Sequence, residues 1–259
     1  MALIDIRDVG VTYNGPVLAD INLAIDEGEF VCVLGQTGCG KSTLLRLVLG
    51  SEKPHRGQVL VDGRVHDQPD RTRGYVPQKY SLFPDKTVLD NITFGPEVSE
   101  FSLLGRLMPR YFRRCRDLRR EAFDYLRRIG LQESDARKYP DQLSGGMQQR
   151  VAIAQALMMR PRILLMDEAF SALDPATRRG MQDLIRQLWR TTGATILFVT
   201  HNTQEALSLG TRVIVLAKES AEAPSRVALD MTVPEHEEEE VPQLVRRLER
   251  VATAGAFVA

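Results

Sequence analysis

Apolar residues at the start of the chain alternate with polar ones. Leu3, Ile4 and Ile6, then Val9 and Val11, and then Ile21, Leu23 and Ile25 follow a period of two. That period predicts strands with one buried face. Phe30-Val31-Cys32-Val33-Leu34 is instead a continuous apolar run ending at Gly35, the form of a parallel strand covered on both faces. Leu44, Leu45, Leu47, Val48 and Leu49 give a buried helix stopped near Gly50. Gly57 to Gly63 and Gly74 to Gln78 predict two more short strands. From Thr87 to about Leu157 the pattern turns helical, with Ala122, Phe123, Leu126 and Ile129 on one face and Gly130 placed to end a helix. Ile163 to Met166, Thr195 to Val199 and Arg212 to Leu216 return to buried strands.

Alternating strands and helices imply an α/β fold with a mostly parallel sheet. The expected layout is a domain over 1–217 with a helical insert at about 85–158. A linker over 218–240 then leads to a short amphipathic helix bearing Val241, Leu244, Val245, Leu248 and Val251.

A chain of 259 residues can bury a full core, as one domain or as a core with a subdomain. Lys+Arg 34 balances Asp+Glu 34, which favours no charged partner, and nucleic acid is not among the expected ones. The distribution is less even. Between Arg106 and Arg120 the only acid is Asp117, set among Arg110, Arg113, Arg114, Arg116 and Arg119, while Glu235 and Glu237 to Glu240 form an acidic run. Cys32, Cys39 and Cys115 show no metal-ligand spacing, which suggests a reducing compartment without a disulfide frame. The first residues lack a basic-then-apolar leader, and no apolar stretch approaches bilayer length. A soluble cytoplasmic protein is expected, reaching a membrane only through a partner.

Gly35-Gln36-Thr37-Gly38-Cys39-Gly40-Lys41-Ser42 follows an apolar strand and opens a helix, the context that a phosphate-binding loop requires. Its glycines let backbone N–H groups close around phosphates, and the helix N-terminus adds a favourable dipole. Lys41 can reach the β- and γ-phosphates, and Ser42 can offer its hydroxyl to Mg²⁺. Ile163 to Met166 lead into Asp167-Glu168, which places carboxylates at the carboxyl edge of the sheet. Asp167 suits the Mg²⁺ shell, and Glu168 suits a general base that orients the attacking water. Leu143-Ser144-Gly145-Gly146-Met147-Gln148-Gln149-Arg150 adds a Ser-Gly-Gly turn feeding a helix.

With these motifs in this order, residues 1–217 resemble the nucleotide-binding subunit of an ATP-binding cassette transporter. The resemblance implies a RecA-like P-loop NTPase core with an N-terminal antiparallel β subdomain and an inserted α-helical subdomain. It implies ATP and Mg²⁺ as cofactors. Gly35 to Thr43 would hold the nucleotide, with Ser42, Gln78 and Asp167 toward the metal. Gln78 matches the glutamine that senses the γ-phosphate, His201 the switch histidine, and Tyr13 the aromatic that stacks on adenine. Ser144, Gly145 and Gly146, with Asp174 in Ser171-Ala172-Leu173-Asp174, would act on the ATP held by a second copy. Two head-to-tail chains would then sandwich two ATPs.

The resemblance further implies a transmembrane permease subunit, an extracytoplasmic solute-binding protein and a place on the inner face of the cell membrane. Ser81-Leu82-Phe83-Pro84 after Gln78 and the Met147 signature look most like the nitrate, sulfonate and taurine importers, with small nitrogen compounds as related cargo. Ala169, where that group usually has proline, is a departure, as is the longer stretch Glu100 to Arg120. An exporter or lipid-trafficking ATPase, or a soluble cassette ATPase outside transport, is the alternative. The Arg-rich stretch reads either as an arm toward the membrane partner or anionic lipid headgroups, or as a solvated helix face. The last helix is expected to pack on its own core or on its twin. Cys39 is expected near the phosphates, where alkylation would block ATP and ATP would protect it.

Overall fold

The computed structural model describes residues 2–79, 82–101, 108–220, 222–233 and 241–254. The chain begins with strands β1 (Ile4–Thr12), β2 (Pro16–Ile25) and β3 (Phe30–Leu34), then helix α1 (Lys41–Leu49) and strands β4 (Arg56–Val61), β5 (Arg64–Val65) and β6 (Arg73–Val76). Helices α2 (Val88–Glu100), α3 (Pro109–Arg128) and α4 (Gly145–Met158) follow. The remainder is β7 (Ile163–Asp167), α5 (Pro175–Thr192), β8 (Thr195–Val199), α6 (Thr203–Leu209), β9 (Arg212–Lys218), β10 (Ser225–Thr232) and α7 (Val241–Ala254). Two compact units result. One holds Met1–Arg73, Ile163–Glu168 and Trp189–Ala259, and the other Gly74–Arg162 and Ala169–Leu188.

The sheet of the first unit runs β5-β4-β1-β2-β10-β9-β3-β8-β7. Its flank is antiparallel, with Ile6 opposite Leu23 on β2 and Val59 on β4. Its centre is parallel, with Val31 of β3 beside Leu197 of β8 and Arg212 of β9, and Leu165 of β7 beside Leu197. β3, β7 and β8 are buried along their whole length, as their unbroken apolar sequences require of strands covered on both faces. This register matters for the site. Val33 and Asp167 both pair with Val199, so Gly35, Asp167-Glu168 and Thr200-His201 emerge together at the carboxyl edge.

Residues 225–232, expected to be linker, form β10 instead, paired antiparallel along β9 from Ser225–Lys218 to Thr232–Arg212. The bidentate ion pair of Arg212 with Asp230 (2.7 and 2.6 Å) supports that register. Helix α7 packs on β9, β10 and α6 of its own unit, with Leu248 and Val251 buried.

In the second unit α2 packs on α3 and α4. Thr87 caps α2 by accepting from the Asp90 N–H at 3.2 Å. Leu118, Ala122 and Leu126 form the buried face of α3, and Gly130 ends the turn with φ +69°. Phe123 does not share that face. It lines an open groove with Phe112 and Arg116, because one step along a helix turns the side chain by about 100°. This unit is wider than the expected 85–158 insert, reaching from Gly74 to Arg162 and taking in most of α5. Ser81, residues 102–107 of the Arg-rich stretch and the acidic run at 235–240 lie outside the described residues. Among the described residues no helix is long and apolar enough to cross a membrane.

Candidate active site

The loop between β3 and α1 is built by close backbone approach. A Cβ on Gly35 would stand 2.5 Å from both the Cys39 sulfur and the Leu216 carbonyl oxygen, and one on Gly40 (φ +91°) 2.7 Å from Leu18. Only glycine fits these positions. Gly40 caps α1 without a side-chain hydrogen bond, so the first N–H groups of the helix and its dipole face the loop. The buried ammonium of Lys41 donates to the carbonyls of Gly35 at 2.8 Å and Gln36 at 2.9 Å, which holds it across the loop. Leu18, which packs at Gly40, pairs across the hairpin with Val11, two residues before Tyr13. The Tyr13 ring is 52 % exposed on that hairpin and so offers a free face for stacking.

Cys39 differs from expectation. Its side chain is 3 % exposed and packs behind the loop against Gly35. Burial pushes its thiol pKa up, partly offset by the charge of Lys41. The positive φ values on either side of Cys39, at Gly38 and Gly40, accompany this inward turn. The sulfur is therefore shielded from solvent by the loop itself.

At the end of β7 the Asp167 carboxylate is buried. Burial raises its pKa and the neighbouring Glu168 adds to the rise, against a hydrogen bond from Ser42 and the charge of Lys41. Glu168 is a non-glycine residue in the left-handed region (φ +45°), held by its N–H to the Val199 carbonyl at 3.0 Å. Such a conformation costs roughly 1–2 kcal/mol, and here it turns the side chain toward His201. The Nδ1 of His201 lies 3.5 Å from the Glu168 carboxylate. A cleft of about 530 Å³ opens along Gln36, Thr37 and His201, with Glu249 and Ala252 of α7 on its border.

The second unit gathers its own set. Ser144 caps α4 by accepting from the Met147 N–H at 3.3 Å. A Cβ on Gly146 would meet Leu173 at 3.5 Å and the Ala172 carbonyl at 3.8 Å, so the Ser-Gly-Gly turn and the Ser171–Asp174 loop form one patch. Asp174 caps α5, and hydrogen bonds from Thr177 hold its carboxyl below the usual range. Gln78 is exposed just beyond β6. Among the described residues no group of three or more His, Cys, Asp or Glu side chains gathers as a metal cage.

The sequence profile of the ABC transporter family matches residues 18–171. The nitrate import ATP-binding protein NrtD of Synechococcus elongatus is 41 % identical over 213 residues, which cover 80 % of this chain and 74 % of NrtD. The chain belongs to the ABC transporter ATPases. The spermidine/putrescine import ATP-binding protein PotA of Mannheimia succiniciproducens is 40 % identical over 224 residues. That match covers 85 % of this chain, which spans only 57 % of PotA. The dimeric cassette MJ0796 in a post-hydrolysis state bound to ADP and Pi superposes with a TM-score of 0.75 at 31 % identity, over 90 % of this chain and 100 % of that one. CbiO1 of Clostridium perfringens, part of the ABC transporter complex cbiONQ, gives 0.74 at 27 % identity over 97 % of each chain.

Within this ABC ATPase the structure adds contacts that the sequence motifs did not show. The Thr200 hydroxyl donates to the buried Glu205 carboxylate at 2.5 Å and accepts from the Asn202 N–H at 3.1 Å. Asn202 in turn caps α6 through the Glu205 N–H at 3.0 Å. This knot fixes the turn that carries His201. In the other unit the buried Gln149 donates to the Pro77 carbonyl at 3.3 Å, tying α4 to the segment that bears Gln78. Glu205 lies in a polar run, and Gln149 lies in the Leu143–Arg150 stretch, whose residue pattern carries no sign of the tether.

Proposed function

We propose that the chain energises import of a small solute by hydrolysing ATP for a separate membrane permease. The observation that carries hydrolysis is the Glu168–His201 pair beside the buried Asp167, at the edge where Lys41 closes its loop. Tyr13 stacks on the base. Gly35 to Thr43 bind the phosphates, with Cys39 contributing backbone alone.

Ser42 and Asp167 would hold Mg²⁺, and Gln78 would sense the metal and the γ-phosphate. The donor set fits a hard cation, since a hydroxyl and a buried carboxylate whose pKa is raised gain from a positive charge. When bound, the ion neutralises charge developing on the phosphates. Glu168 orients a water for attack on the γ-phosphorus and accepts its proton, as the bond from phosphorus to the ADP oxygen breaks. His201 positions Glu168 and steadies the transferred group. Ser144, Gly145, Gly146 and Asp174 serve the ATP of a second copy, so each chain completes the other's site. ATP then holds the pair together, and hydrolysis releases it into a rigid-body change.

Import is favoured by the relatives, which are named for nitrate and polyamine uptake. The sequence phrases point to a nitrate-, sulfonate- or taurine-like solute or a small nitrogen compound. A transmembrane permease and a solute-binding protein outside the membrane complete the assembly, with this chain on the inner face.

The test is to trap Glu168→Gln protein with ATP in its native cell and identify what copurifies. A multi-span membrane protein with a soluble companion supports the reading. Soluble partners alone would contradict it and move the chain to the non-transport class.

A further inference from the structure

Helix α3 carries more positive charge than its packing uses. Arg114 is locked to Glu100 through two bonds of 2.7 Å, and Arg119 and Arg120 make looser surface contacts to Asp90 at 3.4 Å and Asp117 at 3.8 Å. Arg113 and Arg116 are exposed and have no ion pair among the described residues. Positions 112, 116, 120 and 123 follow the helical repeat and lie on one side of α3. Phe112 on that side is 63 % exposed. With Phe123, Arg116 and Arg120 it borders a groove of about 540 Å³, which Glu97 of α2 also lines.

This face is held firmly. The Phe101 ring meets Tyr111 edge-on at 5.2 Å, Tyr111 meets Phe112 at 5.5 Å, and the Arg110 guanidinium sits 5.7 Å above Phe101. A fixed helix side bearing spread guanidinium groups and a protruding aromatic ring has the composition of a surface that lies on a bilayer.

We propose that this side of α3 docks on the anionic headgroups of a lipid bilayer. Phe112 enters the interface, and Arg113, Arg116 and Arg120 donate to headgroup phosphates, which suit the guanidinium fork. An acidic peptide anchor fits less well, because Glu97 in the groove would repel its carboxylate, whereas a plane of headgroups meets the arginine rim. The proposal rests on the reading that the chain works beside a membrane, but its test needs no permease.

The experiment is flotation of the purified full chain with phosphatidylcholine–phosphatidylglycerol vesicles and with neutral phosphatidylcholine vesicles at physiological ionic strength. The parent chain should float with the anionic vesicles and stay behind with the neutral ones. Each arginine near an anionic surface changes partitioning roughly fivefold, so Arg113→Glu/Arg116→Glu should lower it by more than about tenfold. Phe112→Ser should lower it several-fold, with ATP hydrolysis in solution unchanged in both variants. Arg246→Glu/Arg247→Glu, which removes the same charge from the exposed side of α7, should float like the parent.

The proposal falls if the parent ignores anionic vesicles, if the α3 reversal floats normally, or if the α7 control loses as much. Recovery only on vesicles carrying an embedded membrane protein would give this face to a protein and also overturn it. Hydrolysis and flotation are read separately, so failure of the ATPase assignment is distinguishable from failure of the docking surface.

Discussion

Replacing Thr200 with valine removes one hydroxyl at nearly constant volume and should disable His201 without touching the phosphate loop. The hydroxyl donates to Glu205 at 2.5 Å and accepts from the Asn202 N–H at 3.1 Å. A hydrogen bond to a charged partner contributes about 1.5–3 kcal/mol and a neutral one about 1 kcal/mol, so the variant should lose roughly 2–4 kcal/mol. For a chain of this size that is a fall in Tm of roughly 5–15 °C. His201 is 3.5 Å from Glu168, so any loosening of the turn breaks the pair. The kcat for ATP hydrolysis should drop roughly ten- to a hundredfold. KM should move little, because Lys41 and its carbonyl partners lie on separate elements. Thr200→Ser should restore most of both quantities. Calorimetry and a phosphate-release assay read the two effects. A valine variant with parental kcat and parental Tm would refute the knot as the device that positions His201.

Asp167→Asn should raise the Tm of the nucleotide-free protein near neutral pH while abolishing Mg²⁺-dependent turnover. A carboxyl whose folded pKa is raised favours folding while protonated, and that contribution is lost as pH rises through the folded value. The advantage of the asparagine should therefore shrink on acidification, and a variant less stable than the parent at neutral pH would contradict it. Thiol titration with Ellman's reagent should find Cys115 fast, with Cys32 and Cys39 protected until the chain unfolds, since both are buried with raised thiol pKa values. Rapid labelling that persists in Cys115→Ser would contradict the inward placement of Cys39. Gln149→Leu should be close to neutral for stability, because it removes both a bond and a buried oxygen with no hydrogen-bond partner. It should still lower kcat several-fold by freeing the Pro77–Gln78 segment, and unchanged steady-state hydrolysis would count against that tether.

The parts of the molecule legible in the sequence are those fixed by short-range pattern. The phosphate loop, the strand into Asp167-Glu168 and the Ser-Gly-Gly turn each declare themselves within a few residues, because the strand, the turn and the helix start are adjacent in the chain. β10 was not legible, since Ser225-Arg226-Val227-Ala228-Leu229-Asp230 alternates weakly and is held by its pairing with β9 and by Arg212. The Thr200–Glu205 bond escaped for a related reason. Residues 200–205 are polar and read as surface, and only the turn between β8 and α6 folds the carboxylate back onto the hydroxyl. The direction of Cys39 depends on the positive φ angles beside it, and composition carries no trace of those. Phe123 is half-buried beside the groove rather than on the buried face of α3, because apolar identity alone does not fix which side of a helix a residue occupies.

The central claim is that Glu168, held against His201, is the base for hydrolysis of ATP in a site completed by a second copy. The most direct measurement is ATP turnover by Glu168→Gln together with its mass in solution with and without ATP. The account predicts turnover reduced by at least about a hundredfold and an ATP-dependent two-chain species that the parent forms only transiently. Parental turnover, or a variant that binds ATP yet remains a single chain, would contradict it.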